Sequence, residues 1–419
     1  MLFQTGSPTT SLTIDDLREA MGEVFEQLGH RKRVLILPPD ATRLFSRAGD
    51  ITAICYETLG EAVTDIMPAL GTHSPMSSSQ IEMMFPGVPE ALFRPHRWRD
   101  DVVTLGEIPA DFVRQATGGV YNKAWPAQVN RLLVEGDHDL ILSIGQVVPH
   151  EVIGMANYNK NVFVGTGGQD GISESHYLSA VVGIDQTLGV ADTALRKVLN
   201  EAQERFCKDM PLIYVLTVVQ QEKDGTKHTR GLFIGDDHDT FFAAAALARE
   251  VNITHLPKAP THVVAYLDPE EFKSTWLGNK AIYRTRKAIA TGGKLTILGP
   301  AVCEFGEDER IDQMIRKYGY RPRAEIMQLV ADHPDLAADP SAAAHLIHGS
   351  PENRFDVVYA AGELSDDEIR SVGFIPGDLD ALMKRYDVAK LTDGFHTDVD
   401  GSEFYFVQNP ALGLWEAPI

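Results

Sequence analysis

The chain has 419 residues, of which 44% are hydrophobic and 23% charged, enough for two or three domains and a large buried core. A formal net charge of -21 argues against nucleic acid or anionic membrane as a general partner, yet leaves room for a small anion in a locally positive pocket. Three scattered cysteines, Cys55, Cys207 and Cys303, indicate neither a disulfide framework nor a thiolate zinc site.

The first residues lack a basic region followed by an apolar core, so no signal peptide is expected. The longest apolar run, Phe241 to Ala248, is too short to span a bilayer, and the expected location is the cytoplasm.

Thr13 to Asp16 has the form of a capping box that opens an amphipathic helix running to about Gly29. Arg33 to Leu37 reads as a buried strand ending in the polar loop Pro38-Pro-Asp40-Ala-Thr42-Arg43. Asp40 and Arg43 there either position a carboxylate and a second polar group or form a capped helix start with a surface ion pair. A helix is expected from Ile51 to Leu59, extending to Met67, before Gly71-Thr-His73-Ser-Pro-Met76. Phe93 to Arg99 is a basic aromatic patch, either an exposed loop or a cover over the entrance to a site.

Further strand-like runs follow at 102–105, 128–133 and 139–144. The stretch from Gly145 to His176 then has loop chemistry, with His150 after a proline, Lys160 flanked by amides, and Gly165, Gly167, Gly168 and Gly171 close together. Loops leaving a buried strand are where α/β proteins place chemistry, and a His, a Lys and a second His offer a base, a covalent anchor and a metal ligand. The glycine spacing misses the dinucleotide-binding fingerprint by one residue.

Helices are expected over 191–206 and 240–251, the latter capped by Asp236-Asp-His-Asp239, and strands over 212–219 and 230–235. His262 to Leu267 opens a second α/β unit, followed by a helix over 270–290, a strand over 294–298, helices over 307–318, 324–332 and 337–348, and a strand over 354–360. His345 and His348 lack a third ligand and make no convincing metal set. Alternating strands and helices predict two α/β domains with largely parallel sheets and the active site in the cleft between them. The expected division is 1–258, 259–400 and a tail over 401–419 that packs back on the N-terminal domain.

Taken together, Asp40-Ala-Thr42-Arg43, Gly71-Thr-His73-Ser-Pro-Met76, His150 with Lys160 ten residues on, and His176 resemble the nickel-pincer lactate racemase family. The resemblance runs over most of the chain. It implies a pyridinium bisthiocarboxylic acid mononucleotide that grips nickel and is attached covalently to Lys160, with His176 completing the metal coordination. Soft sulfur donors with one imidazole suit square-planar Ni(II). It also implies proteins that make and load the cofactor.

Inverting C2 of a 2-hydroxy acid by proton abstraction would leave a carbanion beside a carboxylate. Reversible hydride transfer leaves a stable 2-keto acid instead. That step needs a base for the hydroxyl proton, a role that falls to His73 and His150 on opposite sides of the substrate. Arg43 is expected to bind the substrate carboxylate, and Asp40 and Thr42 to hold the cofactor or orient Arg43. Lys280 adds positive charge at the substrate, and the amides of Gly165, Gly167 and Gly168 cradle the cofactor phosphate.

The chain departs from the family pattern at Asn157-Tyr-Asn159, where Ser-Gly-Gly is usual, at Leu44 in place of Pro, and at Leu277 in place of Gln. The added amides Asn157, Asn159 and Asn279 point to a longer polyhydroxy acid, an aldonate such as gluconate, rather than lactate. Two rival expectations remain: a zinc-dependent hydrolase using His73, His150 and His176, and a non-catalytic carrier of the nickel cofactor.

Overall fold

Val34–Leu37 places four apolar side chains in succession, all buried, as a strand covered on both faces requires. In the computed structural model, which describes residues 1–222, 225–411 and 413–418, this strand lies inside the sheet of the first of two units, next to its edge strand. Contacts divide the chain into Met1–Ser175 with Thr187–Asn252, and His176–Gln186 with Ile253–Ile419.

The first unit is built on six strands: β1 (Phe3–Gly6), β2 (Val34–Leu37), β3 (Val63–Ile66), β4 (Leu140–Gln146), β5 (Leu212–Gln221) and β6 (Lys227–Gly235). Their order is β1-β6-β5-β4-β2-β3, with β3, β2, β4 and β5 parallel and β6 and β1 antiparallel at one edge. Register is set by pairs such as Val34 with Leu140 and Ile141 with Leu212.

Helix α1 (Ile14–Leu28) opens on the capping box: Thr13 accepts from the Asp16 amide, and the Asp16 carboxylate accepts from the Thr13 amide at 2.7 Å. Its buried face (Leu17, Met21, Val24) shares one core with Ile51 and Ile54 of helix α2 (Ala48–Leu59) and with Ile36, Leu142 and Ile144 of the sheet. Helices α3 (Gln169–Val182), α4 (Ala194–Phe206) and α5 (His238–Asn252) complete the framework, and α3 passes from the first unit into the second at His176.

The second unit holds β7 (His262–Tyr266), β8 (Gly293–Gly299), β9 (Phe355–Ala361), β10 (Ile375–Pro376), β11 (Gly394–Thr397) and β12 (Glu403–Val407) in the order β10-β9-β8-β7-β12-β11. All neighbours run parallel except β11 and β12. The segment 176–186 is tied into this unit by Arg286, which donates to both Asp185 oxygens at 2.9 and 3.0 Å, and by Arg323, which donates to the Val182 carbonyl. The two α/β units with largely parallel sheets are therefore as expected from the alternating pattern.

Several boundaries differ. The expected helix to Met67 stops at Leu59, where Gly60 adopts φ 55°, and the β-branched Val63 and Thr64 continue as strand β3. The single helix expected over 270–290 is two short pieces, Thr275–Gly278 and Lys280–Thr285. Gly278 lies so close to the Tyr359 hydroxyl that a Cβ would sit 2.3 Å from it. The loop expected to run to His176 ends at Gly168, so His176 is a helical residue of α3. The division falls after Asn252 rather than at 258, and residues 403–407, expected in a tail, form β12 within the second sheet. Among the described residues no helix is long and apolar enough to cross a membrane.

Candidate active site

Parallel sheets of this kind present their chemistry at the carboxyl ends of the strands. Three neighbouring strands of the first unit deliver candidate residues there: β2 leads to Asp40, Thr42 and Arg43, β3 leads to His73, and β4 leads to His150 and Lys160.

After β2 the chain enters a 3-10 turn, Ala41–Ser46, capped by Asp40. One carboxylate oxygen, Oδ1, accepts from the Thr42 amide at 3.1 Å and from the Thr42 hydroxyl at 2.5 Å. The other, Oδ2, accepts from His73 Nδ1 at 2.6 Å. Burial pushes the Asp40 pKa up, but the bonds from His73 and Thr42 outweigh it and hold the carboxyl below its ordinary value. A carboxylate cannot donate, so Nδ1 of His73 carries the hydrogen and a neutral ring presents Nε2 as an acceptor. Asp40, expected with Thr42 to hold the cofactor or orient Arg43, bonds Thr42 and His73 rather than Arg43. Arg43 is exposed, and among the described residues no carboxylate pairs with it.

His73 lies beyond a turn at Gly71, which has φ 58°. The Gly71 amide donates to the Gly165 carbonyl at 2.8 Å, linking the His73 loop to the glycine run.

His150 lies in a tight hairpin in which Pro149–His150 pairs with Gly154–Met155. Its Nδ1 accepts from the Val152 amide at 3.1 Å, so a neutral ring carries its hydrogen on Nε2. The two catalytic candidates therefore take opposite tautomers, His73 with an acceptor at Nε2 and His150 with a donor.

The chain between His150 and Lys160 is held tightly. Asn157 and Tyr158 take φ 67° and 60°, a left-handed conformation uncommon for residues with side chains and costly for a bulky ring. Tyr158 is buried, stacks on Phe241 at 5.1 Å and bonds His238 through its hydroxyl at 2.8 Å. Asn157 turns its Oδ1 to the Tyr158 amide, and Asn159 is shared between Arg196 and Asn200. Both amides are buried and committed to the loop, so they are not the substrate-facing groups their polarity suggested.

Lys160 follows, partly buried, just before a π-helical turn at Asn161–Gly165. Burial lowers its pKa to about 8, the charge of Arg43 pushes the same way, Glu151 and Asp40 oppose, and Arg196 lowers it again. With a pKa of about 8, roughly a tenth of this amine is unprotonated at pH 7, far more than of an ordinary lysine, which favours its use as a nucleophile.

The glycines after Lys160 are required by the protein's own packing. A Cβ on Gly165 would lie 2.8 Å from the Ala69 Cβ, one on Gly167 1.9 Å from the Phe163 carbonyl oxygen, and one on Gly168 2.4 Å from Gln128. The patch at 93–99 contributes His96 to the same place: its ring is buried, Nε2 donates to the Gly167 carbonyl at 2.9 Å, and Nδ1 accepts from Asn130 at 3.0 Å. Burial keeps the His96 pKa below its ordinary value. His96 is thus a support of the glycine run. A cavity of about 480 Å³ in this unit, lined by residues such as Arg94, Arg97 and Arg131, includes no candidate residue in its wall.

His176 and Lys280 belong to the second unit. Lys280 opens the short helix Lys280–Thr285, with its ammonium 5.8 Å from the Phe272 ring centre. Near it in sequence, Trp276 stacks on His345 at 3.9 Å, and His345 bonds the Tyr320 hydroxyl at 3.0 Å. Burial drives the His345 pKa down to about 3. Asn279 is fully buried. Among the described residues no three His, Cys, Asp or Glu side chains form a group that could hold a metal ion. The nickel expectation asks the protein for only one metal ligand, whereas the zinc hydrolase asks for three.

Residues missed from the sequence are Arg196, which reaches into the Lys160 loop from α4, and His96 beneath the glycine run. The signal for Arg196 was its place three residues before Leu199 on the apolar stripe of an otherwise polar helix.

Comparison with known proteins bears on these residues. No curated protein matches the chain. A structural-genomics crystal structure of a Thermotoga maritima protein is similar at 24% identity, covering 99% of this chain and 100% of that one with a TM-score of 0.77. The lactate racemase apoprotein from Thermoanaerobacterium thermosaccharolyticum is similar at 14% identity, covering 98% and 90% with a TM-score of 0.68. At these identities both show a shared fold. Residues 17–187 match the family described as Lactate racemase N-terminal domain, a span that holds every candidate residue except Lys280. Residues 17–187 are thus similar to the lactate racemase N-terminal domain, and the chain as a whole shares the fold of both solved structures.

Proposed function

We propose that the protein inverts C2 of a 2-hydroxy acid, using a nickel-pincer nucleotide attached at Lys160. The observation that carries the reading is the pairing of Lys160, an amine held near neutrality, with the Asp40–His73 couple whose charge bears on it. The residues fit the group: a nucleophilic lysine can condense with a thiocarboxylic arm to a thioamide with loss of water, keeping the sulfur for the metal, and His176 would serve as the protein's ligand to nickel. When bound, the cofactor would supply an acceptor for the C2 hydrogen with its electron pair and return it to either face of a 2-keto acid.

The chain's own residues do the rest. Arg43, exposed and without a carboxylate partner among the described residues, binds the substrate carboxylate through a two-pronged contact. His73 takes the C2 hydroxyl proton on Nε2, with Asp40 stabilising the imidazolium that forms. His150 performs the same exchange from the other side, giving its Nε2 proton to the keto oxygen as the C–H bond re-forms. Lys280 adds positive charge at the substrate. The amides of Gly167 and Gly168, ahead of the α3 N-terminus, receive the cofactor phosphate.

The substrate is a 2-hydroxy acid as a class. With Asn157 and Asn159 engaged inside their loop, a preference for an aldonate has to come from other residues. A passive cofactor carrier would have no use for an aspartate bonded to His73 or for the open guanidinium of Arg43.

The test is to express the chain with the cofactor-synthesis proteins, map Lys160 by peptide mass, and follow loss of optical rotation of 2-hydroxy acids in D2O. An adduct on Lys160, bound nickel and racemised product without solvent deuterium at C2 are expected. Deuterium entering C2 at every turnover, or an unmodified Lys160 in active protein, overturns the reading.

A further inference from the structure

The cavity of about 480 Å³ in the first unit has no part in the candidate site. It begins beside Met67, the residue after β3, and both the basic loop 94–101 and the helical turn Leu132–Glu135 contribute to its wall. Met67, Pro95 and Leu132 give it an apolar lining, and Arg94, Arg97 and Arg131 stand around it. Such a concentration of positive charge is unexpected in a chain of net charge -21. The three guanidiniums are not held alike. Arg94 is committed: its Nε lies 2.9 Å from Asp65, which also accepts from His138 at 3.0 Å. Arg131 donates to Glu135 at 3.0 Å across one exposed helical turn, an arrangement worth little in water. Arg97 makes no side-chain hydrogen bond among the described residues, and its contact with Asp101 is stretched to 4.0 Å.

We propose that this cavity is an effector site for a small organic acid, an apolar or aromatic body carrying one carboxylate. The volume suits a molecule of that size, and the two loosely held guanidiniums, Arg97 and Arg131, can turn onto its carboxylate while their planes cover a flat ring. Asp101 and Glu135 compete for them, so the occupant displaces two exposed pairs rather than a buried one. One wall carries the effect. Asn130 lines the cavity, its amide donates to the Thr166 carbonyl at 2.7 Å, and its side chain donates to His96 Nδ1. His96 follows Pro95, another wall residue, and donates to the Gly167 carbonyl at 2.9 Å. Opening of the glycine run breaks these bonds and shifts the wall, so a ligand resting on that wall holds the run closed.

The inference is independent of the proposed function, and its test needs no cofactor. The full chain is titrated by calorimetry with 2-naphthoate, with its uncharged amide 2-naphthamide, and with sulfate, which has charge but no apolar body. Hydrogen exchange of the peptide covering 161–168 is followed by mass with and without 2-naphthoate. Arg97, Arg131 and Glu135 are exposed, so their replacement leaves the fold intact.

2-Naphthoate is expected to bind once per chain with Kd below about 1 mM, and 2-naphthamide and sulfate at least roughly tenfold more weakly. Combining R97Q with R131Q loses about tenfold or more in affinity, whereas E135Q, which frees Arg131, tightens binding by about two- to fivefold. A greasy patch indifferent to charge would show no such opposition between the variants. Exchange at 161–168 slows by roughly threefold or more in the saturated parent, and not in the R97Q/R131Q chain. Equal binding of the acid and its amide, equal binding of the acid and sulfate, or affinity unchanged in R97Q/R131Q overturns the proposal. So does bound 2-naphthoate with unaltered exchange at 161–168, or a parent chain that takes up none.

Discussion

Asp40 accepts a 2.6 Å hydrogen bond from Nδ1 of His73, and that single contact fixes which ring nitrogen is open for proton exchange. Replacing His73 by Ala removes the base, and turnover should fall by about two to four decades with the cofactor still bound. D40N keeps the shape but lets the ring take the other tautomer. Its kcat should fall by about two decades with KM nearly unchanged, as read by steady-state kinetics on loaded protein.

Asp40 also gives a pH signature. Its folded-state pKa is depressed, so its contribution to stability is fully present above the unfolded carboxyl pKa of about 3.9 and is lost as pH falls through the folded value. Urea unfolding should show parent and D40N chains differing at pH 7 and converging in acid below about pH 4. A gap that persists at the lowest pH at which both fold would contradict this.

Lys160 gives the same direction of change in a higher pH window. Its folded pKa of about 8 lies below the ordinary lysine value of 10.5, so the unfolded chain binds more protons between them and this group's contribution to stability rises with pH in that window. K160M should therefore be more resistant to urea than the parent at pH 7, with the advantage shrinking from pH 8 toward 10.5. An advantage that does not change with pH would mean that packing rather than charge is responsible.

Arg43 should be read through KM. Removing the guanidinium forfeits a charge-assisted contact worth about 1.5–3 kcal/mol, so R43A should raise KM roughly ten- to a hundredfold. R43K recovers part of this, because an ammonium cannot match both carboxylate oxygens.

Gly167 tests the scaffold alone. G167A would press a Cβ into the Phe163 carbonyl, 1.9 Å away, and should cost about 1–3 kcal/mol in denaturant unfolding. G60A, whose Cβ meets nothing within 4 Å, pays only for its positive φ of 55° and should be milder.

Much of the framework can be read from residue order. The buried runs that become β2, β4, β5 and β7 and the cap at Thr13 stand out because period and punctuation agree there. Strand β3 does not, since Val63-Thr-Asp-Ile follows a helix with only the short turn Gly60–Ala62 between them. The helix expected over 270–290 failed for a tertiary reason: Gly278 is placed by its approach to Tyr359, a contact no local pattern reports. Within the candidate site, motif spacing singled out Asp40, His73, His150 and Lys160. Arg196 is passed over although it lies on the apolar stripe of its helix, because a charged helical residue is ordinarily turned to solvent. For the same reason Asn157 and Asn159 looked like ligand-facing amides when they are internal struts.

The ring of Tyr158 rests on Phe241, and the clamp on its loop comes from Arg196, so the conformation around Lys160 is completed by chain made well after it. During synthesis that lysine is an ordinary solvated ammonium until those later segments have folded back. A chain halted before Phe241 would hold the right amino acid without the packing that surrounds it.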